Sequence, residues 1–396
     1  MADAIVAYST DKSVDNAISK IAETIVKSVP NPDWIFMTTT VAYPAEELAK
    51  KMNESFKGAR IHGVTSCLGV ITNDGYIIGP ENYSIAALAV KSKKIKFGVG
   101  YGEGDDAGKK ALDMALKSAG MPSNAKPTLI LMTAVPGMEE RVIENIEEAV
   151  GKDVPIYGGT AADNDISGKW KVICNDKVLS GVVITVIFTK LKIGTIYLSG
   201  YSAVGIKGTV TKSSGRVIQE IDGKPAASIY NTWTNKKFAK FISAGESILG
   251  PASFAPLARK IVSGDKEYWI SVHPSKCVSG AIEVFAEVPQ GSDIWLLSGD
   301  ENVLLNRPSL LFDLCLKNMK STPDKVDFGI LIYCAGTMLP VKDKLGKSIK
   351  ETLQKISGPI IGAFTFGEQG HIPKIGNFHG NLMASLILFK KKGFLF

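Results

Sequence analysis

Three side chains near the carboxyl end of the sequence are of types that could act together in a reaction. Cys334 ends an apolar segment, and Glu368 and His379 follow further along the chain. A thiol becomes a nucleophile when a neighbouring base removes its proton, and either Glu368 or His379 has the chemistry of such a base. The alternative for Cys334 is a buried structural thiol, since free cysteine is among the most buried residue types. Glu368 could instead bind a positive group or be a solvated loop carboxylate, and the sequence leaves these alternatives open.

Small polar residues recur at the ends of predicted strands. Thr65, Thr160 and Thr365 occupy equivalent places, each at the end of a strand that contains glycine. Ligands in α/β proteins bind outside the carboxyl ends of strands, so we predict that these ends meet at one cleft for a small polar ligand. The predicted ligand-binding set is Thr65, Ser66, Cys67, Gly159, Thr160, Asp163, Asn164, Cys334, Thr365, Gly367 and Glu368.

The elements that must position these residues form one pattern that occurs three times. Each copy has an apolar strand, an amphipathic helix and a second strand, and the helices lie at 44–56, 138–150 and 345–356. We expect a hairpin after each copy, formed by 86–90 with 96–99, by 170–174 with 181–188, and within 381–389. Parallel crossovers combined with hairpins predict an α/β (α+β) fold with mixed sheets and helices packed on them.

The second of these helices shows the pattern most clearly. Val142, Ile143 and Ile146 recur at three- and four-residue steps and predict a buried face. Glu139 and Glu140 belong to the opposite, acidic side, which we predict to face solvent.

Composition excludes several classes of protein. The chain has 396 residues and a formal net charge of +7, but its basic residues are mostly scattered lysines, which predicts no nucleic-acid partner. The amino terminus lacks a secretory signal and no apolar run is long enough to span a bilayer, so we expect no membrane insertion. Five widely spaced cysteines and four histidines show no metal-ligand spacing. These features predict a cytoplasmic protein without a metal or another cofactor.

Several segments together resemble the FIST-domain family. The sequence Pro359-Ile360-Ile361-Gly362-Ala363-Phe364-Thr365-Phe366-Gly367-Glu368, followed by Phe378-His379, is similar to the closing signature of that family. Gly63-Val64-Thr65-Ser66-Cys67 and Gly158-Gly159-Thr160-Ala161-Ala162-Asp163 resemble signatures of its N domain. Glu220-Ile221-Asp222-Gly223-Lys224-Pro225-Ala226 resembles the start of its C domain. The resemblance implies two domains, an N-like domain at 1–225 and a C-like domain at 226–396 with the third repeat at 327–389.

The resemblance also implies a function. FIST domains are sensory modules thought to bind small ligands such as amino acids, so we expect a ligand-binding module that signals through a separate, unidentified protein partner. The sequence departs from the family pattern after Cys334, where relatives tend to have an arginine and this chain has Gly336-Thr337-Met338. An arginine there would suit a ligand carboxylate, and its absence weakens the expectation of an amino acid.

Two other functional classes remain open from sequence. The first is an enzyme that uses Cys334 with Glu368 or His379. The second is a protein-interaction scaffold, for which Phe394-Leu395-Phe396 would be a docking segment.

Overall fold

Three copies of one structural unit form the body of the protein. The computed structural model describes residues 2–391, so the docking segment expected at Phe394-Leu395-Phe396 lies outside the described residues. The predicted mixed α/β class is confirmed.

Each unit contains, in chain order, a strand, a helix, a strand, a helix, a strand, a short hairpin and a last strand. The first unit consists of β1 (Asp3–Ser9), α1 (Val14–Ser28), β2 (Trp34–Thr39), α2 (Ala45–Ser55), β3 (Arg60–Thr65), β4 (Val70–Thr72), β5 (Gly75–Ile77) and β6 (Ile85–Lys91). The second consists of β7 (Ile95–Gly102), α3 (Ala107–Ser118), β8 (Leu129–Ala134), α4 (Glu139–Val150), β9 (Ile156–Thr160), β10 (Val172–Cys174), β11 (Lys177–Leu179) and β12 (Val182–Thr189).

The third unit begins with β13 (Ile193–Leu198) and is then interrupted by an inserted domain, residues 202–298. The inserted domain consists of β14 (Ser202–Ser214), β15 (Val217–Ile221), β16 (Lys224–Pro225), α5 (Ala226–Trp233), α6 (Ala239–Ala244), α7 (Leu249–Ala252), β17 (Leu257–Ser263), β18 (Lys266–Val272), β19 (Pro274–Val278), β20 (Ala281–Val284) and β21 (Asp293–Ser298). The unit resumes with α8 (Glu301–Met319), β22 (Val326–Cys334), α9 (Ala335–Met338), α10 (Lys342–Leu353), β23 (Ile360–Thr365), β24 (Glu368–Ile372), β25 (Gly376–Gly380) and β26 (Ala384–Lys390).

The three body sheets have the same strand order. They run β1-β6-β2-β3-β10-β11, β7-β12-β8-β9-β24-β25, and β13-β26-β22-β23-β4-β5. The two central strands of each sheet, β2 with β3, β8 with β9 and β22 with β23, are parallel. Side chains from all three sheets pack into one shared core that includes Trp34, Leu131 and Ile330. The body is therefore a single hydrophobic unit made from three similar parts.

Each unit gives its hairpin to the sheet of another unit. The hairpin β4–β5 of the first unit pairs with β23 of the third, β10–β11 of the second pairs with β3 of the first, and β24–β25 of the third pairs with β9 of the second. The exchange closes a ring, so every body sheet contains strands from two units.

An asparagine near each hairpin turn fixes this exchange at equivalent places. Asn73, Asn175 and Asn377 each accept a hydrogen bond at Oδ1 from a backbone N–H at the start of the strand next to their hairpin. The donors are Ile360 N at 2.7 Å, Ile61 N at 2.9 Å and Ile156 N at 2.8 Å respectively. The side chain thus satisfies a backbone donor at the edge where two units meet.

Helix formation follows the sequence pattern. Val142, Ile146 and Val150 form the buried face of α4, as predicted. The predicted solvent-facing acidic side is wrong at Glu139, whose side chain is buried. Glu139 begins the helix, where it packs against the inserted domain instead of facing water.

The hairpins expected after the three copies are wrong. The segment 381–389, expected to contain a hairpin, holds the single strand β26, and the hairpin of that unit is β24–β25. Strands β6 and β7 follow one another in sequence but belong to different sheets, as do β10 and β12. A short turn between two apolar strands looks the same in sequence whether the strands pair with each other or not. The predicted division at residue 225 falls at β16, within the inserted domain, and remains a prediction about the organisation of the sequence. Among residues 2–391, no helix is both long and apolar enough to cross a membrane.

Replacing the exchange asparagines is expected to destabilise the whole body. We expect Asn377→Ala to be the most damaging, because Asn377 is buried whereas Asn73 and Asn175 are partly exposed. Its Nδ2 also donates both to Val154 O at 3.1 Å and to Glu147 Oε1 at 3.0 Å. Each variant leaves backbone groups unsatisfied, which costs about 1–3 kcal/mol per buried group. Chemical denaturation would measure this loss, and the exposed Asn124→Ala is the matched control. Equal stability of Asn377→Ala and Asn124→Ala would contradict the role of these residues.

Candidate functional site

A cavity of ≈ 620 Å³ lies between the body and the inserted domain. All three units reach it from the carboxyl ends of their strands, through Cys67 after β3, Pro136 after β8 and Cys334 at the end of β22. Its walls are mainly apolar. The lining comprises Cys67, Pro136, Glu139, Asn164, Asp165, Ile166, Trp170, Arg216, Leu249, Gly250, Pro251, Ser253, Phe254, His273, Phe285, Cys334, Gly336, Leu339, Pro340 and Phe366.

The inserted domain supplies one wall of this cavity, and hydrogen bonds hold that wall in place. Tyr201 donates its hydroxyl to the carbonyl of Ser253 at 2.6 Å, and His273 Nε2 lies 2.8 Å from the carbonyl oxygen of Leu249. Burial lowers the pKa of His273 to about 4, so this imidazole is neutral at neutral pH. Hydrogen bonds at Leu249 and Ser253 therefore fix the position of the wall formed by residues 249–254.

Cys334 in the cavity lining and Glu368 behind it form a buried pair. Thr365 Oγ1 donates to Glu368 Oε1 at 2.8 Å, and the backbone N–H of Met383 donates to Oε2 at 3.0 Å. Burial raises the pKa of Glu368 from 4.5 to about 8, although these bonds and the thiol of Cys334 oppose the shift. Burial and the nearby carboxylate of Glu368 raise the pKa of Cys334 well above its ordinary value. Both groups are therefore held in their neutral forms.

A buried arginine lies beside this pair. Arg307 on α8 is fully buried and donates from NH1 to the carbonyl of Leu382 at 3.0 Å. Its guanidinium lies over the rings of Tyr201 and Tyr333, 4.9 Å and 5.8 Å from their centroids. Such cation–π contacts stabilise a desolvated cation. Sequence reasoning missed this role of Arg307, because only the fold brings α8 next to Cys334.

A charged cluster links the inserted domain to α4 at the side of the cavity. One NH2 group of Arg216 donates to Glu139 Oε2 and to Glu140 Oε2, both at 2.6 Å. Glu139 also accepts from Thr160 Oγ1 at 2.9 Å and from the backbone N–H of Gly137 at 2.8 Å. The buried carboxylate of Glu139 is therefore paired on every side, as a charge in such a place must be.

His379 belongs to this second cluster and lies apart from the Cys334–Glu368 pair. Its Nδ1 is 3.1 Å from Gln369 Nε2, and its Nε2 is 3.3 Å from the carbonyl of Phe285 and 3.8 Å from Glu139 Oε1. Glu139, Glu140 and His379 are close enough to offer ligands to a metal ion. The guanidinium of Arg216 already bonds to both carboxylates, so the cluster is better described as an ion-pair network.

The other predicted residues mostly support the cavity from behind. Thr65 and Ser66 bond to the backbone of residues 171, 69 and 364, and Asp163 accepts backbone N–H groups of its own loop. The two glycines permit close packing: a Cβ at Gly159 would lie 2.5 Å from Thr365 Cγ2, and one at Gly367 would lie 2.3 Å from His379 Cε1.

The structure thus brings Cys67, Asn164 and Cys334 of the predicted set to the cavity surface. Sequence reasoning missed the aromatic residues of the lining, which are Trp170, Phe254, Phe285 and Phe366. They lie in loops or at strand ends and follow no period that would have set them apart from core residues. Glu139 carried a weak signal, because it is an acidic residue at the start of a helix that follows a strand end.

Family models match nearly all of the chain. The FIST N domain matches residues 33–224 and the FIST C domain matches residues 226–371. This chain belongs to the FIST family. FIST domains are generally sensory, ligand-binding domains of signal transduction.

Individual relatives add little to the family assignment. An uncharacterized protein of Methanocaldococcus jannaschii is 39% identical over 90 residues, which is 22% of this chain and 18% of that protein. The chain therefore matches less than a fifth of this relative's length. The crystal structure of a cyanuric acid hydrolase from A. caulinodans aligns with 99% of this chain and 100% of its own at 9% identity and a TM-score of 0.36. A second cyanuric acid hydrolase structure aligns with 98% of this chain and 100% of its own at 8% identity and a TM-score of 0.35. Both scores are low, and the likeness says nothing about the chemistry of this FIST protein.

The raised pKa of Glu368 predicts a specific dependence of stability on pH. Between about pH 4.5 and about pH 8 the unfolded chain loses this proton while the folded protein keeps it, so folding loses stability as the pH rises. Glu368→Gln stays neutral and lacks this loss. Its Tm is expected to rise relative to that of the wild type across this range, whereas the exposed control Glu23→Gln follows the wild type. Parallel Tm curves for wild type and Glu368→Gln would show that Glu368 ionises normally.

Proposed function

We propose that this FIST protein is a sensory module that binds one small molecule in the cavity between its body and its inserted domain. The observation that carries the proposal is the cavity itself. Its volume of ≈ 620 Å³ lies in the range of small-molecule sites, and apolar walls with a few polar groups are typical of such sites.

The position of the cavity supports a role in signalling. Residues of the body and residues of the inserted domain both line the cavity, and Arg216 connects the two through Glu139 and Glu140. A ligand that contacts both walls changes the free energy of their relative arrangement, and a separate protein partner that binds one arrangement reads the change. We further propose a cytoplasmic location, which the five free thiols of the chain suit.

The composition of the lining refines the expected ligand. The polar groups predicted from sequence are largely turned toward the protein interior, with Glu368 and Thr365 fully buried. Trp170, Phe254 and Phe366 face the cavity instead. We propose a ligand with an apolar body and one polar or charged end.

An enzyme with Cys334 as nucleophile is less well supported. An activated thiol has a lowered pKa, whereas burial raises the pKa of Cys334, and His379 bonds to other partners. We expect alkylation by iodoacetamide at pH 7 to be slow and to be the same in wild type and Cys334→Ala. Mass spectrometry of the alkylated protein would measure this, and rapid labelling of Cys334 at neutral pH would favour the enzyme.

Ligand binding is expected to depend on the aromatic walls. A thermal-shift screen of amines, amino acids and organic acids would find ligands, because a ligand at 100 times its Kd adds about 2.7 kcal/mol to the stability. Trp170→Ala and Phe254→Ala remove large apolar contact surfaces and are expected to weaken the Kd of any hit by about tenfold or more.

Calorimetry with the purified variants would test this dependence. Tyr101→Ala is the matched control, because Tyr101 is a partly buried aromatic residue of β7 that does not line the cavity. A hit whose Kd is unchanged in Trp170→Ala and Phe254→Ala binds elsewhere, and the proposed function would then be wrong.

A further inference from the structure

We infer that the cavity selects an organic cation, namely a quaternary ammonium or protonated amine carried on an apolar body. This inference rests on the proposed function and names the ligand class of the same site. Two independent properties of the lining support it, its charge and its aromatic surfaces.

The charge of the lining is negative. Two carboxylates, Glu139 and Asp165, and one guanidinium, Arg216, line the cavity, which gives a formal charge of one negative for these groups. Glu140, which also bonds to Arg216, adds a third carboxylate beside the lining. The remaining titratable lining groups are neutral at pH 7, because burial raises the pKa of Cys67 to about 12, raises that of Cys334, and lowers that of His273 to about 4.

The arginine in the lining forms ion pairs with carboxylates of the protein. Arg216 NH2 lies between Glu139 and Glu140, and both of these carboxylates compete with any anionic ligand for the guanidinium. An anion entering the cavity would meet Glu139 and Asp165 without a free cation among the described lining residues. Of these two carboxylates, Glu139 is already bonded to Arg216, so the exposed Asp165 is the one that attracts a cation.

Four aromatic rings offer π faces or edges within the same space. Trp170 lies edge-on to Phe366 at a centroid distance of 6.0 Å, and Phe285 lies near His273 at 6.1 Å. Phe254 lies on the wall formed by residues 249–254. Aromatic groups around a desolvated site bind ammonium groups through the ring quadrupole, and tryptophan does so best. A neutral apolar ligand would bury apolar surface in the cavity but would lack this electrostatic attraction to the rings.

The test compares three probes of nearly equal shape by calorimetry on the full chain. Choline carries a trimethylammonium group, 3,3-dimethylbutan-1-ol replaces it with a neutral tert-butyl group, and 3,3-dimethylbutanoate carries a negative charge. We expect choline to bind about tenfold or more tightly than the neutral alcohol, and the anion to bind most weakly.

Two variants separate the aromatic and electrostatic contributions. Trp170→Leu keeps an apolar side chain but loses the π face. It is expected to raise the Kd for choline by about fivefold or more and to leave the Kd for the neutral alcohol nearly unchanged. Asp165→Asn removes an exposed lining carboxylate without disturbing the buried Glu139. It is expected to weaken the binding of choline and not that of the neutral alcohol. Tyr101→Leu is the control for Trp170→Leu.

Each outcome decides between the two proposals. Tighter binding of choline that is reduced in Trp170→Leu supports the inference. Equal binding of choline and the neutral alcohol, or tighter binding of the anion, overturns the cation inference and leaves a ligand-binding cavity. Failure of all three probes to bind at millimolar concentration overturns the cation inference, and the wider thermal-shift screen then decides the proposed function on its own.

Discussion

The three units of the body exchange hairpins, and this exchange joins them into one structure. Each body sheet is completed by two strands that come from another unit, so no sheet can form fully from one unit alone. Asn73, Asn175 and Asn377 repeat the same bond at the three places where a hairpin meets its host sheet. The shared core behind these sheets makes the body one cooperative unit, as expected when buried apolar surface is contiguous.

This arrangement also explains how the cavity is built. The parallel central strands of the three units bring their carboxyl ends to one region, where an α/β architecture places ligands. The residues that end these strands are mostly occupied in holding the units together, as Ser66 does for the backbone of Phe364 and Thr160 for the side chain of Gln369. The loops beyond the strand ends and the inserted domain then provide the surface that a ligand meets.

Much of the body could be predicted from sequence because its signals are local. The period of apolar residues gave the helices and the central strands, and the recurrence of Thr65, Thr160 and Thr365 gave the repeat. The pairing of the hairpins could not be predicted, because an Asn-Asp turn has the same sequence whether its strands join their own sheet or another. The local pattern also misplaced Glu139, since its burial depends on Arg216 from a different domain.

The candidate site was predictable only in part for a related reason. Cys67, Asn164 and Cys334 follow strands and could be placed at a strand end, whereas Trp170 and Phe254 are ordinary loop aromatics until the fold brings them together. Glu368 and Arg307 show the reverse problem. Their types suggest a surface that binds ligands, but their burial makes them a neutral acid and a ring-stacked cation within the interior.

The inserted domain occurs in one unit only, between β13 and α8, and this breaks the threefold likeness of the body. A pocket walled by three identical strand ends would offer a ligand three equivalent poses, and nothing would distinguish one from another. Phe254, Phe285 and Arg216 come from the inserted domain, which only one unit has. The three poses are therefore no longer equivalent, and a ligand has a single preferred orientation. A symmetric scaffold thereby acquires a polarity, with one side that holds the ligand and one side that is able to respond to it.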